Sequence, residues 1–228
     1  MYDPIEHYFE KYSFDQTKIK ELVCGQKYVA VLLQNGNIGV CATYGMLIHH
    51  KIPEAIDLSN LEHRILLNAY FNALLNYENE YNDEKDIFEL IDFKQYKNIV
   101  MVGNFKPVVK RFQNAGIKLS IFDKKEDEDI LTEMKNQIDF IKKADAIILT
   151  ATTVYNQSFS ELIEHSAENA SVFILGPSSI MHMAMKNYRN VKMIFGSVFE
   201  PFDYRVLDLI RANQGTRAFG PLSRKVYL

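Results

Sequence analysis

Four breaks made of small polar residues carry the chemical possibilities of this chain, and each directly follows a short apolar run. Thr150-Ala151-Thr152-Thr153-Val154-Tyr155-Asn156-Gln157-Ser158 follows Ala146-Ile147-Ile148-Leu149. Capping a helix takes one or two hydroxyl or amide side chains. The surplus at Thr150, Thr152, Thr153 and Asn156 predicts a polar pocket wall that hydrogen-bonds a ligand. Gly176-Pro177-Ser178-Ser179 follows Val172-Phe173-Ile174-Leu175 and leads into a predicted helix. There Gly176 permits close backbone approach, Pro177 stiffens the turn, and Ser178 and Ser179 offer hydroxyls or free amides to an oxyanion. Gly103-Asn104-Phe105-Lys106-Pro107 follows Ile99-Val100-Met101-Val102. A helix beginning there presents unpaired amides to an anion. A plain tight turn is the rival reading, because Gly-x-Gly-x-x-Gly is absent and Pro107 removes one amide. Gly196-Ser197 follows Met193-Ile194-Phe195.

Other chemistries find less support. Asp123 closes a further apolar run, where dinucleotide-binding proteins hold a ribose hydroxyl, but Lys124 and Lys125 beside it fit a solvated strand end equally well. A serine nucleophile would need a base, yet Gly-x-Ser-x-Gly is missing and His182 stands in no recognisable triad order. His49 and His50 are adjacent, so their side chains diverge on a helix or a strand, while His7, His63, His165 and His182 are scattered. Cys24 and Cys41 lack Cys-x-x-Cys spacing and read as reduced, buried thiols. Spacing alone therefore names no metal ligand, and no catalytic acid, base or nucleophile. A metal site assembled from distant segments would escape such a test.

The elements that must position these residues follow from periodicity. Tyr28-Val29-Ala30-Val31-Leu32-Leu33 and Ile38-Gly39-Val40-Cys41-Ala42-Thr43 flank an Asn-Gly reversal and predict a β-hairpin. Short helices are predicted over 4–11 and 16–23. A long helix over 60–77 carries Leu61, Ile65, Leu66, Ala69, Phe71, Leu74 and Leu75, with Ser59 or Asn60 as its N-cap. Residues 1–80 thus read as a small α+β domain, 81–96 as a linker opening on a polar run and carrying a short helix over 87–91, and 97–228 as a Rossmann-like α/β domain. In the last, strands over 99–102, 117–122, 146–150, 172–175 and 192–195 alternate with helices over 105–115, 128–142, 158–165, 179–187 and 203–213. Gly116 fits a positive-φ helix end. Apolar runs without alternation predict strands buried on both faces, hence a parallel sheet with helical crossovers. All the breaks then fall on the carboxyl edge of that sheet, where such folds bind ligands.

Composition narrows the partners. The chain has 228 residues, 47% of them hydrophobic, with no Trp and a formal net charge of -3. That length and apolar content predict a compact fold, and the interspersed charge supplies no field for attracting nucleic acid. No apolar stretch approaches the ~20 residues that span a bilayer, and Met1-Tyr2-Asp3-Pro4 does not begin a signal peptide. These features predict a cytoplasmic protein without nucleic-acid or membrane partners, and leave a homo-oligomer open.

Taken together, the motifs from Thr150 to Ser158, Gly176 to Ser179, and Phe195-Gly196-Ser197-Val198 resemble the signatures of the putative heavy-metal chelation family. The hairpin ending in Gly39-Val40-Cys41-Ala42-Thr43 and the helix carrying Asn68-Ala69-Tyr70-Phe71-Asn72-Ala73-Leu74 are similar to that family's enolase N-terminal-like portion. The resemblance implies a small α+β, enolase N-terminal-like domain followed by a Rossmann-like, doubly wound parallel sheet. It places a site in the cleft between them, formed by Gly103, Asn104, Thr150, Thr152, Thr153, Asn156, Gly176, Pro177, Ser178, Ser179 and Gly196. Thr43 and Asn72 would join from the small domain. Ala151 and Ile180 stand where the family tends to carry glycine and proline. The expected function is binding of a small polar or anionic ligand in the interdomain cleft, with a transition metal or metal complex as the ligand the resemblance brings in. Mostly neutral oxygen donors stand here, rather than the thiolates that favour soft metals. The alternatives are a nucleotide-dependent enzyme using the Rossmann-like domain, and a purely structural or partner-binding module.

Overall fold

The computed structural model describes residues 2–124 and 130–228. Helix α1 (Pro4–Tyr12) starts at Asp3, whose carboxylate accepts the amides of Ile5 and Glu6, with Pro4 in the first turn. An antiparallel sheet follows in the order β1 (Ile19–Cys24), β2 (Tyr28–Leu33), β3 (Ile38–Ala42). The Asn-Gly reversal between β2 and β3 forms as predicted, with Gly36 at φ +95°. The helix expected over 16–23 does not form. A 3₁₀ turn, Gln16–Lys18, gives way to β1. Ile19, Leu22 and Val23 sit at a spacing that also suits a helix, and pairing with Leu33, Val31 and Ala30 of β2 decides for the strand.

Helix α2 (Leu61–Leu75) is capped by Asn60, which accepts the amide of Glu62, and is buried along most of its length. It lies directly on β3. A Cβ on Gly39 would fall 2.1 Å from the Ala69 carbonyl oxygen and 2.2 Å from the Ala73 nitrogen, so only glycine lets the strand and helix backbones meet.

The rest of the chain builds a larger sheet. Its elements in order are α3 (Ile87–Leu90), β4 (Ile99–Val102), α4 (Lys106–Asn114), β5 (Ser120–Phe122), α5 (Gln137–Lys143), β6 (Ala146–Thr150), α6 (Thr152–Tyr155), α7 (Ser158–His165), β7 (Ser171–Leu175), β8 (Val191–Phe199), α8 (Tyr204–Arg211), α9 (Thr216–Phe219) and β9 (Ser223–Tyr227). The strand order is β5-β4-β6-β7-β8-β9, parallel except for the last pair. Successive residues of the central strands enter opposite cores. Val100, Ile147, Leu149, Val172 and Ile174 pack on one face, and Ile99, Met101, Ile148 and Phe173 on the other. This double burial is why the runs carry no alternation. The chain has the mixed, Rossmann-like α/β fold that its periodicity predicts.

Several boundaries differ. The strand expected over 117–122 is paired only at Ser120–Phe122. Of the helix expected over 128–142, residues 128 and 129 lie outside the described residues, as does Lys125, and the remainder is a 3₁₀ turn leading into α5. The helix expected over 179–187 shrinks to a 3₁₀ turn, Met183–Asn187, capped by the His182 ring. The preceding residues are neither helix nor strand, and asparagine side chains at and beyond the end of α2 bind their backbone instead. Strand β8 runs on to Phe199, and β9 turns back antiparallel to it. With Val226 alone buried, β9 has no apolar run to announce it. No helix among the described residues is long and apolar enough to cross a membrane.

Candidate functional site

The bends converge at the carboxyl ends of the parallel strands. Gly103, after β4, has φ +99°, and a Cβ there would lie 2.8 Å from Cβ of Thr150 at the end of β6. Gly176, after β7, has φ +132°, and its Cβ position is 3.7 Å from the Phe105 ring. The same ring lies 3.5 Å from the Cβ position of Gly103. Phe105 therefore rests on two glycines and ties the β4 and β7 bends together. Gly196 in β8 leaves room for Met181, whose Sδ would be 2.5 Å from an added Cβ.

Beside Phe105 opens a cleft of about 500 Å³. Its walls are largely apolar, with Phe88, Phe105, Val108, Leu175 and Phe195 among them, and Tyr28 reaches in from β2. Asn104, Gly176, Pro177 and Gly196, expected from the sequence, line it. Three cations and one carboxylate line it. Lys85 is paired with Asp83, Arg111 is paired with the lining Asp86 and lies 4.4 Å over the Phe88 ring, and Lys225 comes from β9.

The remaining sequence candidates lie nearby, but their polar groups are bound within the protein. The Thr150 and Thr152 hydroxyls meet at 3.1 Å, and Thr153 Oγ1 donates to the Thr150 carbonyl at 2.7 Å. Asn156 Oδ1 accepts the Ser158 amide and hydroxyl just before α7. Ser178 Oγ accepts the Ala42 amide at 2.9 Å, and Ser179 Oγ donates to the Phe195 carbonyl at 2.7 Å. Thr43 Oγ1 donates to the Gln26 carbonyl and closes its own turn. Asn72 Nδ2 donates to the Val40 carbonyl at 2.8 Å and reaches that of Pro177 at 3.4 Å. Asp123 accepts the Tyr44 hydroxyl at 2.7 Å and the Asn104 amide at 2.8 Å, so both carboxylate oxygens already have partners where a ribose would need them.

Two constructions go beyond the sequence reading, which named only Asn72 of the first as a site residue. Asn68, Asn72 and Asn76 recur every fourth residue along α2 and face the 177–181 segment. Asn68 Nδ2 donates to the Ser178 carbonyl at 2.9 Å and Asn76 Nδ2 to that of Ser179 at 3.0 Å, while Asn76 Oδ1 accepts the Met181 amide at 2.7 Å. Because that segment is neither helix nor strand, these amides supply the partners its buried backbone needs. The spacing 68, 72, 76 was the available signal. Second, Arg64 is fully buried, with both Asp3 oxygens within 2.8 Å of Nη2 and the Tyr155 carbonyl 2.6 Å from Nε. It stands one step earlier on the same four-residue spacing.

The donor chemistry of the described residues does not suit a bare heavy-metal ion. Among the described residues, no group of three or more His, Cys, Asp or Glu side chains is arranged to hold one. Cys24 and Cys41 are buried and free. Burial pushes the Cys24 thiol up to about 11 and the Cys41 thiol higher still, so neither supplies a ready thiolate.

Comparisons agree with this architecture. Residues 86–228 match a family model described as putative heavy-metal chelation, DUF364, and residues 7–92 match a second model of the same description, DUF4213. No curated protein matches the chain. A crystal structure of a protein with unknown function from Pyrococcus horikoshii superposes with a TM-score of 0.78 at 19% identity, covering 92% of each chain. One from Desulfitobacterium hafniense, also of unknown function, superposes with a TM-score of 0.76 at 17% identity, covering 98% of this chain and 99% of that one. Both come from the DUF364 family, and at these identities the likeness speaks to the fold. With both parts of the chain matched and the architecture shared, the protein belongs to the family described as putative heavy-metal chelation.

Proposed function

We propose that the chain binds a flat organic ligand bearing an anionic group in the cleft beside Phe105, and that a metal enters only as part of such a ligand. The observation that carries this reading is the pairing of a cleft of about 500 Å³, apolar walled and edged by Arg111 and Lys225, with the lack of a three-donor set among the described residues. A cavity of that size and character takes small organic molecules. A chelate arrives with its metal's inner ligands already in place, so the protein needs to supply only surface and charge. Asp123 lends the nucleotide reading no support, its carboxylate already accepting from Tyr44 and the Asn104 amide.

Calorimetry on untagged protein distinguishes the cases. Nickel alone and nickel held by a bipyridine dicarboxylate are titrated into the wild type and into Thr216→Trp, which narrows the mouth of the cleft. The complex is expected to bind the wild type and the bare ion is not, with binding of the complex lost in the variant. Uptake of the bare ion together with exclusion of the complex would overturn the proposal.

A further inference from the structure

On the opposite edge of the large sheet, at the amino ends of β4 and β5, lies a second cavity of about 240 Å³ lined by Lys97, Asn98, Lys118, Ser120, Phe140 and Lys143. We propose that it is a separate binding site for a multiply charged oxyanion carried on an aromatic body. Three lysines from three separate segments of the chain line one cavity, although the protein as a whole is slightly acidic. None of the three is in an ion pair with a described residue. Asp145 is the adjacent carboxylate, and it accepts the backbone amides of Lys97 and Asn98 at 2.9 Å each, not the lysine side chains. Asn98 and Ser120 add neutral hydrogen-bonding groups. Phe140 is partly exposed beside them, its ring edge-on to Phe122 at 5.5 Å, and offers a face for an aromatic group.

A purely structural reading has the lysines offset the negative carboxyl ends of helices at this edge. It accounts for Lys143, in the last turn of α5 beside Lys142. It does not account for Lys97, which precedes a strand, nor for the exposed ring among the charges. Clustered cations around a partly apolar cavity are what recognition of an aryl phosphate monoester demands.

Phenyl phosphate, inorganic phosphate and phenol, titrated into isotopically labelled full-length protein, test the assignment. Phenyl phosphate is expected to shift the amide resonances of Lys97, Asn98, Lys118 and Ser120, with an affinity that falls as salt rises. Inorganic phosphate should shift the same amides with roughly tenfold weaker affinity, and phenol should not shift them. Combining Lys97→Gln, Lys118→Gln and Lys143→Gln should weaken phenyl phosphate at least roughly tenfold. Phe140→Ala should bring it to the level of inorganic phosphate. Lys118→Gln alone serves if the triple variant fails to fold. Absence of shifts at these amides, or unchanged affinity after the lysines are removed, would overturn the proposal. A lower melting temperature in the triple variant, without any anion response in the wild type, would assign the lysines to the helix ends alone.

Discussion

At the scale of single residues, the strongest constraints are polar groups placed where water cannot reach them. Arg64 has its charge answered by Asp3 and its remaining donors taken by the carbonyls of Tyr155, Val154 and Leu58. Removing one partner of such a pair leaves the other buried and uncompensated. Arg64→Ala is therefore expected to lower the unfolding free energy by about 3–5 kcal/mol, measured by urea denaturation. Arg64→Lys should recover little, because an ammonium cannot reproduce the guanidinium fork. His182 makes a different prediction. Its Nδ1 accepts the Ala184 amide at 3.1 Å, which leaves Nε2 to carry the proton it shares with the Tyr12 hydroxyl at 2.9 Å. Burial, then Lys11 and His7, hold its pKa below the ordinary histidine value, with Glu78 opposing them. The unfolded chain then takes up the proton first as pH falls. The stability tied to neutral His182 should be present above about pH 6.5 and lost as the pH drops toward the lower folded value. His182→Asn keeps a capping acceptor that does not titrate. It should flatten the melting temperature between pH 7 and 5, and an unchanged slope would place the dependence elsewhere.

At the scale of elements, the amide ladder of α2 does what a predicted helix was expected to do over 179–182. Asn76→Leu is nearly the same size, yet it strands the Ser179 carbonyl and the Met181 amide. The expected loss is about 2–4 kcal/mol by thermal or chemical unfolding, with solubility a secondary readout. This ladder also shows what periodicity conveys and what it omits. Strands β4, β6 and β7 were legible because burial on both faces leaves an uninterrupted apolar run. The hairpin was legible from Asn35-Gly36, and α2 from its apolar face and Asn60. Strand β1 was misread because its apolar spacing suits both periods, and the choice rests on β2 beside it. Strand β9 was invisible, since an edge strand with one buried residue has no pattern of its own.

At the scale of the whole molecule, the sequence located the rim but not the character of what the rim encloses. The Gly103, Thr150 and Gly176 bends lie at one edge, while Gly196 continues within β8. Their hydroxyl-rich residues mostly serve the fold, and apolar side chains such as Phe105 and Phe195, which read as core, form the cleft walls. Which side of a chain's own architecture a hydroxyl serves is settled by neighbours far away in sequence, as with Ala42 for Ser178 and Phe195 for Ser179. The two sheets also share one continuous apolar core, from Ile5 and α2 through to Ile174 and Val226, beneath the buried asparagines. Prising the halves apart like a clamshell would strip that core and strand those amides at once. Both glycines under the Phe105 ring hold left-handed backbone, at φ +99° and +132°. An alanine at either position would shift the bend and the ring with it, so two absent side chains fix the inner wall of the cleft.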